Sequence, residues 1–239
     1  MSDGEQGTID ELRREVALGG HVLNAAGLSE YVWGHVSARD PEHRGVWMKA
    51  SGLGFEEVTE SSVLLVDPDG NVLAGDGPRH SEYPIHVEIL RARLDAQSVV
   101  HIHPPHAIAL AASGRPLQAF SHAGGVFSAG VRRYDDAPGL VDTTESGEEL
   151  ARALGGDRAL LLTGHGIVTV GASVATAVAA AVMLEQACRL QLLAEGFGGV
   201  AAPKSPDEAA RDYAHTLRDE HLMQAWRYLV RRVQARAAP

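Results

Sequence analysis

A short apolar run ending in two histidines, Ser98-Val99-Val100-His101-Ile102-His103, constrains this chain most. Val99, Val100 and Ile102 favour a strand. Strand side chains alternate between faces, so His101 and His103 share one face and Ile102 takes the other. Two neutral imidazoles on a rigid strand make two arms of a divalent metal site. Alone, the pattern serves equally well for two half-buried histidines on an ordinary strand.

Two features add weight to the metal reading. Glu82 lies in Ser81-Glu82-Tyr83-Pro84, just before the periodic run Ile85, Val87, Ile89, Leu90 and Leu94. Pro84 suits a first helical turn and Ser81 an N-cap, so Glu82 is expected at a helix start. That helix leads through Asp95-Ala96-Gln97 into the histidine strand. His165 stands in Gly164-His165-Gly166, between the apolar runs 159–162 and 167–170. Flanking glycines permit a sharp turn and a close approach. Three histidines and a carboxylate would hold a metal and leave room for substrate.

Along the chain, residues 1–7 are expected to be mobile and the rest, 8–239, to form one domain. Thr8-Ile9-Asp10-Glu11 is a capping-box pattern for a helix running to Gly27. Strands are expected over 34–39 and 46–49, and a hairpin over 63–75 around Pro68-Asp69-Gly70. Ser51 and Gly52 lie in a loop that either offers backbone N–H groups to an anion or simply joins strands. A helix is expected over 106–113, then a weakly patterned stretch with His122 and a strand through Val131. Asp142-Thr143-Thr144-Glu145 caps a further helix, and Ser173 starts a long one to about Glu195. After a break at Pro203 to Pro206, a closing helix is expected over 207–235. Strands in hairpins with helices between them suggest an α/β fold. Its central sheet is mixed or largely antiparallel, with helices on both faces.

The formal charge of −10 argues against a nucleic-acid groove. The single cysteine, Cys188, rules out an internal disulfide and suits core packing and a cytoplasmic location. The acidic start lacks the pattern of a signal peptide. The apolar run from Val174 to Leu184 reads as too short and alanine-rich to span a bilayer, so no membrane partner is expected.

Glu82, His101-Ile102-His103 and Gly164-His165-Gly166 resemble the class II aldolase/adducin family. Gly34-His35-Val36-Ser37 and Ser51-Gly52 are similar to loops of that family, and the likeness runs from about Thr8 to Gly199. The resemblance implies a three-layer α/β/α domain and a homotetramer with active sites near subunit interfaces. It implies one divalent metal per subunit on His101, His103 and His165. Zinc comes first for three imidazoles, with manganese, cobalt, iron or magnesium as alternatives. It also implies that Glu82 is the general acid/base and that Ser51, Gly52, Ser81 and the position of His122 contact substrate, while His35 and His80, bulkier than the groups that hold a phosphate, are expected to contact a substrate carboxylate.

Some positions depart from the family's sugar-phosphate aldolases. Those carry asparagine at the position of His35 and serine at that of His80, and His122 aligns with a tyrosine that assists them. Such a metal stabilises the enolate left by either decarboxylation or retro-aldol cleavage. The favoured expectation is therefore a carbon–carbon lyase acting on a small non-phosphorylated hydroxy, oxo or hydroxyaromatic carboxylate. A sugar-phosphate aldolase, 4-epimerase or dehydratase is the alternative, and a non-catalytic adducin-like domain stands third. The other histidines, His21, His43, His86, His106, His215 and His221, are read as surface or packing residues, with His86 facing the helix beside the site.

Overall fold

The computed structural model describes residues 3–136, 139–201, 204–214 and 218–237. Helix α1 spans Asp3–Ala25, so it starts five residues before the expected Thr8. No proline precedes Thr8 to stop it. Residues 3–7 are thus helical, while Met1 and Ser2 lie outside the described residues. Gly27 follows α1 in the left-handed region at φ 77°, where glycine ends helices.

The sheet strands are β1 (His35–Arg39), β2 (Val46–Lys49), β3 (Val63–Val66), β4 (Val72–Ala74), β5 (Ser98–Ile102), β6 (Arg132–Tyr134), β7 (Ala159–Leu162) and β8 (Ile167–Gly171). Their order is β4-β3-β2-β1-β5-β8-β7-β6. Every pairing is antiparallel except β6 with β7, which is parallel. The strand expected through Val131 begins one residue later, at Arg132.

Alternation along these strands builds two cores. Val36, Ala38, Val100, Ile102, Leu161 and Ile167 pack on one face, with residues of α1 and of α6 (Val174–Gly196). Val99, Leu160, Leu162, Val168 and Val170 pack on the other, with α2 (Tyr83–Ala92) and α5 (Thr144–Leu154). This is the three-layer α/β/α arrangement. The same parity puts His35, Ser37 and His101 on the α2 side of the sheet.

α3 covers Pro105–Ala112, within one residue of the expected span, and the weak stretch holds a short helix, α4 (His122–Gly125), before β6. The closing segment is two helices, α7 (Pro206–Asp212) and α8 (Asp219–Ala237), not one over 207–235. Pro203 and His215 lie outside the described residues. α6 corrects a further expectation, because its 23 residues are long and apolar enough to cross a membrane by length and composition. Here it serves as a core helix: Ala177, Val178, Ala180, Ala181, Leu184 and Cys188 are fully buried. Burial pushes the Cys188 thiol up to about 12.

Candidate metal centre

β5 and the β7–β8 turn bring the three histidines together. His101 lies at the centre of the sheet, opposite His35 of β1 and Val168 of β8. His103 stands one residue past the end of β5. His165 sits in the turn, next to Gly164 at φ 72°. Gly166 is required by close approach, since a Cβ there would lie 2.5 Å from the Ile102 carbonyl oxygen and 2.7 Å from the His103 ring.

Glu82 is the residue before α2 and its side chain does not cap that helix. Its Oε1 instead accepts the Val141 N–H at 2.9 Å. Its oxygens lie 3.7 Å from His101 Nε2 and 3.5 Å from His165 Nε2. The ligand atoms of Glu82, His101, His103 and His165 all lie within 4.8 Å of one another. Burial, and less so the nearby Asp142 charge, raises the Glu82 pKa against the pull of the Val141 hydrogen bond.

The hydrogen-bonding of the rings fits a cation. His101 Nδ1 donates to the Ile167 carbonyl at 2.9 Å, and His103 Nδ1 to the Glu30 carboxylate at 2.7 Å. When such a ring is neutral, its proton is on Nδ1 and a lone pair is left on Nε2. Those two Nε2 atoms face each other at 3.0 Å. Two lone pairs at that distance repel unless a positive charge stands beside both. Burial holds His101 well below its usual pKa and brings His165 down to about 4, so both favour the neutral, ligating form.

The centre opens into a cavity of about 660 Å³. His35, Ser51, Gly52, His80, Ser81, Glu82, His103 and His165 line it, and Val32, Trp33, Ile108 and Leu140 supply apolar wall. Nine of the expected site residues therefore meet here, counting His101 behind its floor. His122 is not among them: it is exposed on α4 and its Nε2 meets His221 Nε2 at 2.8 Å. Ser51 spends its backbone N–H on the Pro78 carbonyl at 2.8 Å, and Gly54 donates to the Glu57 carboxylate at 2.8 Å. Two of the loop's backbone donors are thus committed within the protein. Behind it, Lys49 Nζ donates to the Val32 carbonyl at 3.0 Å and the Leu53 carbonyl at 2.7 Å, tying two cavity loops together.

Two further residues support the site without a role legible in the sequence. Glu30 orients His103, and His86, read as packing, is fully buried against His35 and Ser37. A signal for His86 was present: it lies four residues after Glu82, on the same helical face. Of the remaining histidines, His21 bonds the Val58 carbonyl, His106 bonds Glu185, and His43 occupies a turn at φ 58°.

The family described as Class II Aldolase and Adducin N-terminal domain matches residues 14–192. A 3,4-dihydroxyphthalate decarboxylase from Arthrobacter keyseri is 32% identical over 93% of this chain and 94% of its own. A 4-hydroxy-3-prenylphenylpyruvate oxygenase/4-hydroxy-3-prenylbenzoate synthase from Streptomyces roseochromogenus is 35% identical over 74% of this chain. The match spans 65% of that relative's length, and 66% of a similar decarboxylase from Streptomyces niveus. Among solved structures, an aldolase II superfamily protein from Pseudomonas syringae superposes with a TM-score of 0.85 at 27% identity, covering 99% of this chain and 96% of its own. An L-fuculose 1-phosphate aldolase from Glaciozyma antarctica gives 0.84 at 26% identity, covering 98% and 93%.

Proposed function

The chain belongs to the class II aldolase and adducin family, and on that premise we propose that it is a metal-dependent decarboxylase of a small hydroxyaromatic carboxylate. The observation that carries this reading is the cavity's mixed lining. Imidazoles and Glu82 share it with the apolar side chains of Val32, Trp33, Ile108 and Leu140. A flat aromatic acid suits such a lining, with histidines for its polar groups and apolar side chains for its ring. The dihydroxyphthalate decarboxylase and prenylbenzoate synthase relatives support the same substrate class.

Decarboxylation breaks the bond from ring carbon to carboxyl carbon and leaves the electron pair on the substrate as CO2 departs. A divalent cation held by His101, His103 and His165, with zinc the first expectation, would supply Lewis-acid stabilisation of that negative charge. Glu82 delivers a proton to the ring carbon that lost CO2, and solvent then reprotonates the carboxylate. Its raised pKa suits a group that must hold a proton beside the substrate. The apolar wall limits water around the carbanion.

Phosphosugar cleavage is the second reading, favoured by the structural likeness to a fuculose-phosphate aldolase. It needs donors that the 51–54 loop has partly spent within the protein. Turnover should be measured on dihydroxyphthalate and related hydroxyaromatic acids against fuculose and ribulose phosphates. Faster turnover of any sugar phosphate than of every acid would overturn the proposal. We also propose a homotetramer with sites near subunit interfaces. Trp33 and Leu140 at the cavity mouth, 54% and 47% exposed, support an apolar contact there. Light scattering should give the mass of four 25.3 kDa chains, and a monomer mass would refute it.

A further inference from the structure

A chain of buried polar groups runs from the sheet to the cavity. Ser37 Oγ lies 2.6 Å from His86 Nδ1, and His86 Nε2 lies 2.6 Å from His35 Nδ1. His35 Nε2 then faces the cavity, 3.8 Å from Glu82 Oε2. Ser37 and His86 are fully buried and His35 almost so. Each link holds one shared proton, so the direction chosen at one end sets every tautomer along the chain.

Two observations choose the direction. The Ser37 hydroxyl has no other hydrogen-bond partner among the described residues. If it accepted from His86, its own proton would be buried without an acceptor, which is costly. Ser37 therefore donates to His86 Nδ1, His86 Nε2–H donates to His35 Nδ1, and the His35 proton sits on Nε2. With Glu82 ionised, the opposite direction would also point a His35 lone pair at its carboxylate, 3.8 Å away.

We infer that Ser37 and His86 are positioning residues that hold His35 as a neutral hydrogen-bond donor toward the substrate's anionic oxygen. A neutral donor favours a carboxylate or phenolate oxygen without the fixed positive charge that would suit a phosphate dianion. This inference deepens the hydroxyaromatic-acid reading and rests on it for the identity of the substrate. The tautomer itself can be read without substrate or metal.

The experiment is long-range 15N–1H correlation spectroscopy of the metal-free chain labelled at histidine. His35→Asn and His86→Gln variants assign the two rings. His35 and His86 should both carry the proton on Nε2. In Ser37→Ala, His86 should lose that preference and His35 should become a mixture of tautomers. His86→Leu should raise KM for the hydroxyaromatic acid about tenfold with kcat little changed, and His86→Gln, which still donates to His35, should restore it. A His35 proton on Nδ1 in the unaltered chain would overturn the inference, as would a His86→Leu variant with both tautomer and KM unchanged. If His86→Leu does not fold, the unaltered and Ser37→Ala spectra decide. Failure of the acid panel with the Nε2 tautomer intact would count against the substrate class alone, leaving the hydrogen-bond chain standing.

Discussion

At the scale of single residues, Glu82 separates chemistry from scaffolding. It stands at the start of a helix, yet its carboxylate turns away from the helix N–H groups toward Val141 and the histidines. Glu82→Gln keeps the Val141 hydrogen bond and the packing but removes the transferable proton. Turnover should fall by about two orders of magnitude or more, the usual scale of general acid/base catalysis, with the melting temperature and metal content nearly unchanged. A variant with normal turnover would reduce Glu82 to a structural carboxylate. The histidine pair, Glu82 and His165 were legible in the sequence because strand parity, helix-start chemistry and flanking glycines are local. His86 was harder to place, since its role depends on β1 lying beside β5, a pairing 60-odd residues apart that no local pattern announces. His122 shows another limit: matching a family position does not place it in this chain's own cavity, and α4 points its side chain at His221.

At the scale of elements, the tight point is where the β7–β8 turn crosses the end of β5. Gly166→Ala would put a Cβ against the Ile102 carbonyl and the His103 ring. The turn or the strand end must then shift, moving His165 relative to His103. Such overpacking costs about 1–3 kcal/mol, read as a lower denaturant midpoint, and metal affinity should fall with it. Unchanged stability and affinity would show that the turn yields freely. Most element boundaries were readable, since caps and hairpins have local signatures: α5 is capped by Thr143 and α6 by Ser173, as the sequence suggested. The failures have physical causes. A capping box at Thr8 does not start a helix when nothing upstream prevents one. The hydrophobic pattern of the closing segment carries across a break after Asp212 that it does not mark.

At the scale of the whole molecule, the buried histidines couple folding to pH. Burial first, then neighbouring charges, holds His80 and His86 down to about 3, and His35 and His101 well below their usual value. Above about pH 6.5 these rings are neutral both folded and unfolded. Below it the unfolded chain binds protons that the folded chain refuses, so stability falls as pH drops toward 3. Each such ring contributes up to about 1.4 kcal/mol per pH unit. Glu15, Glu82 and Glu88, raised, act in the opposite sense against five lowered histidines, counting His165. The denaturant midpoint of metal-free protein should therefore be lower at about pH 5.5 than at about pH 7.5, and an equal or higher midpoint would contradict the neutral assignment. Glu82, His101, His103 and His165 form the proposed metal centre, and elemental analysis of purified protein counts its ion. The unaltered protein should carry one divalent ion per chain and the folded His101→Ala/His103→Ala double variant almost none; full stoichiometry in that variant would rule the centre out.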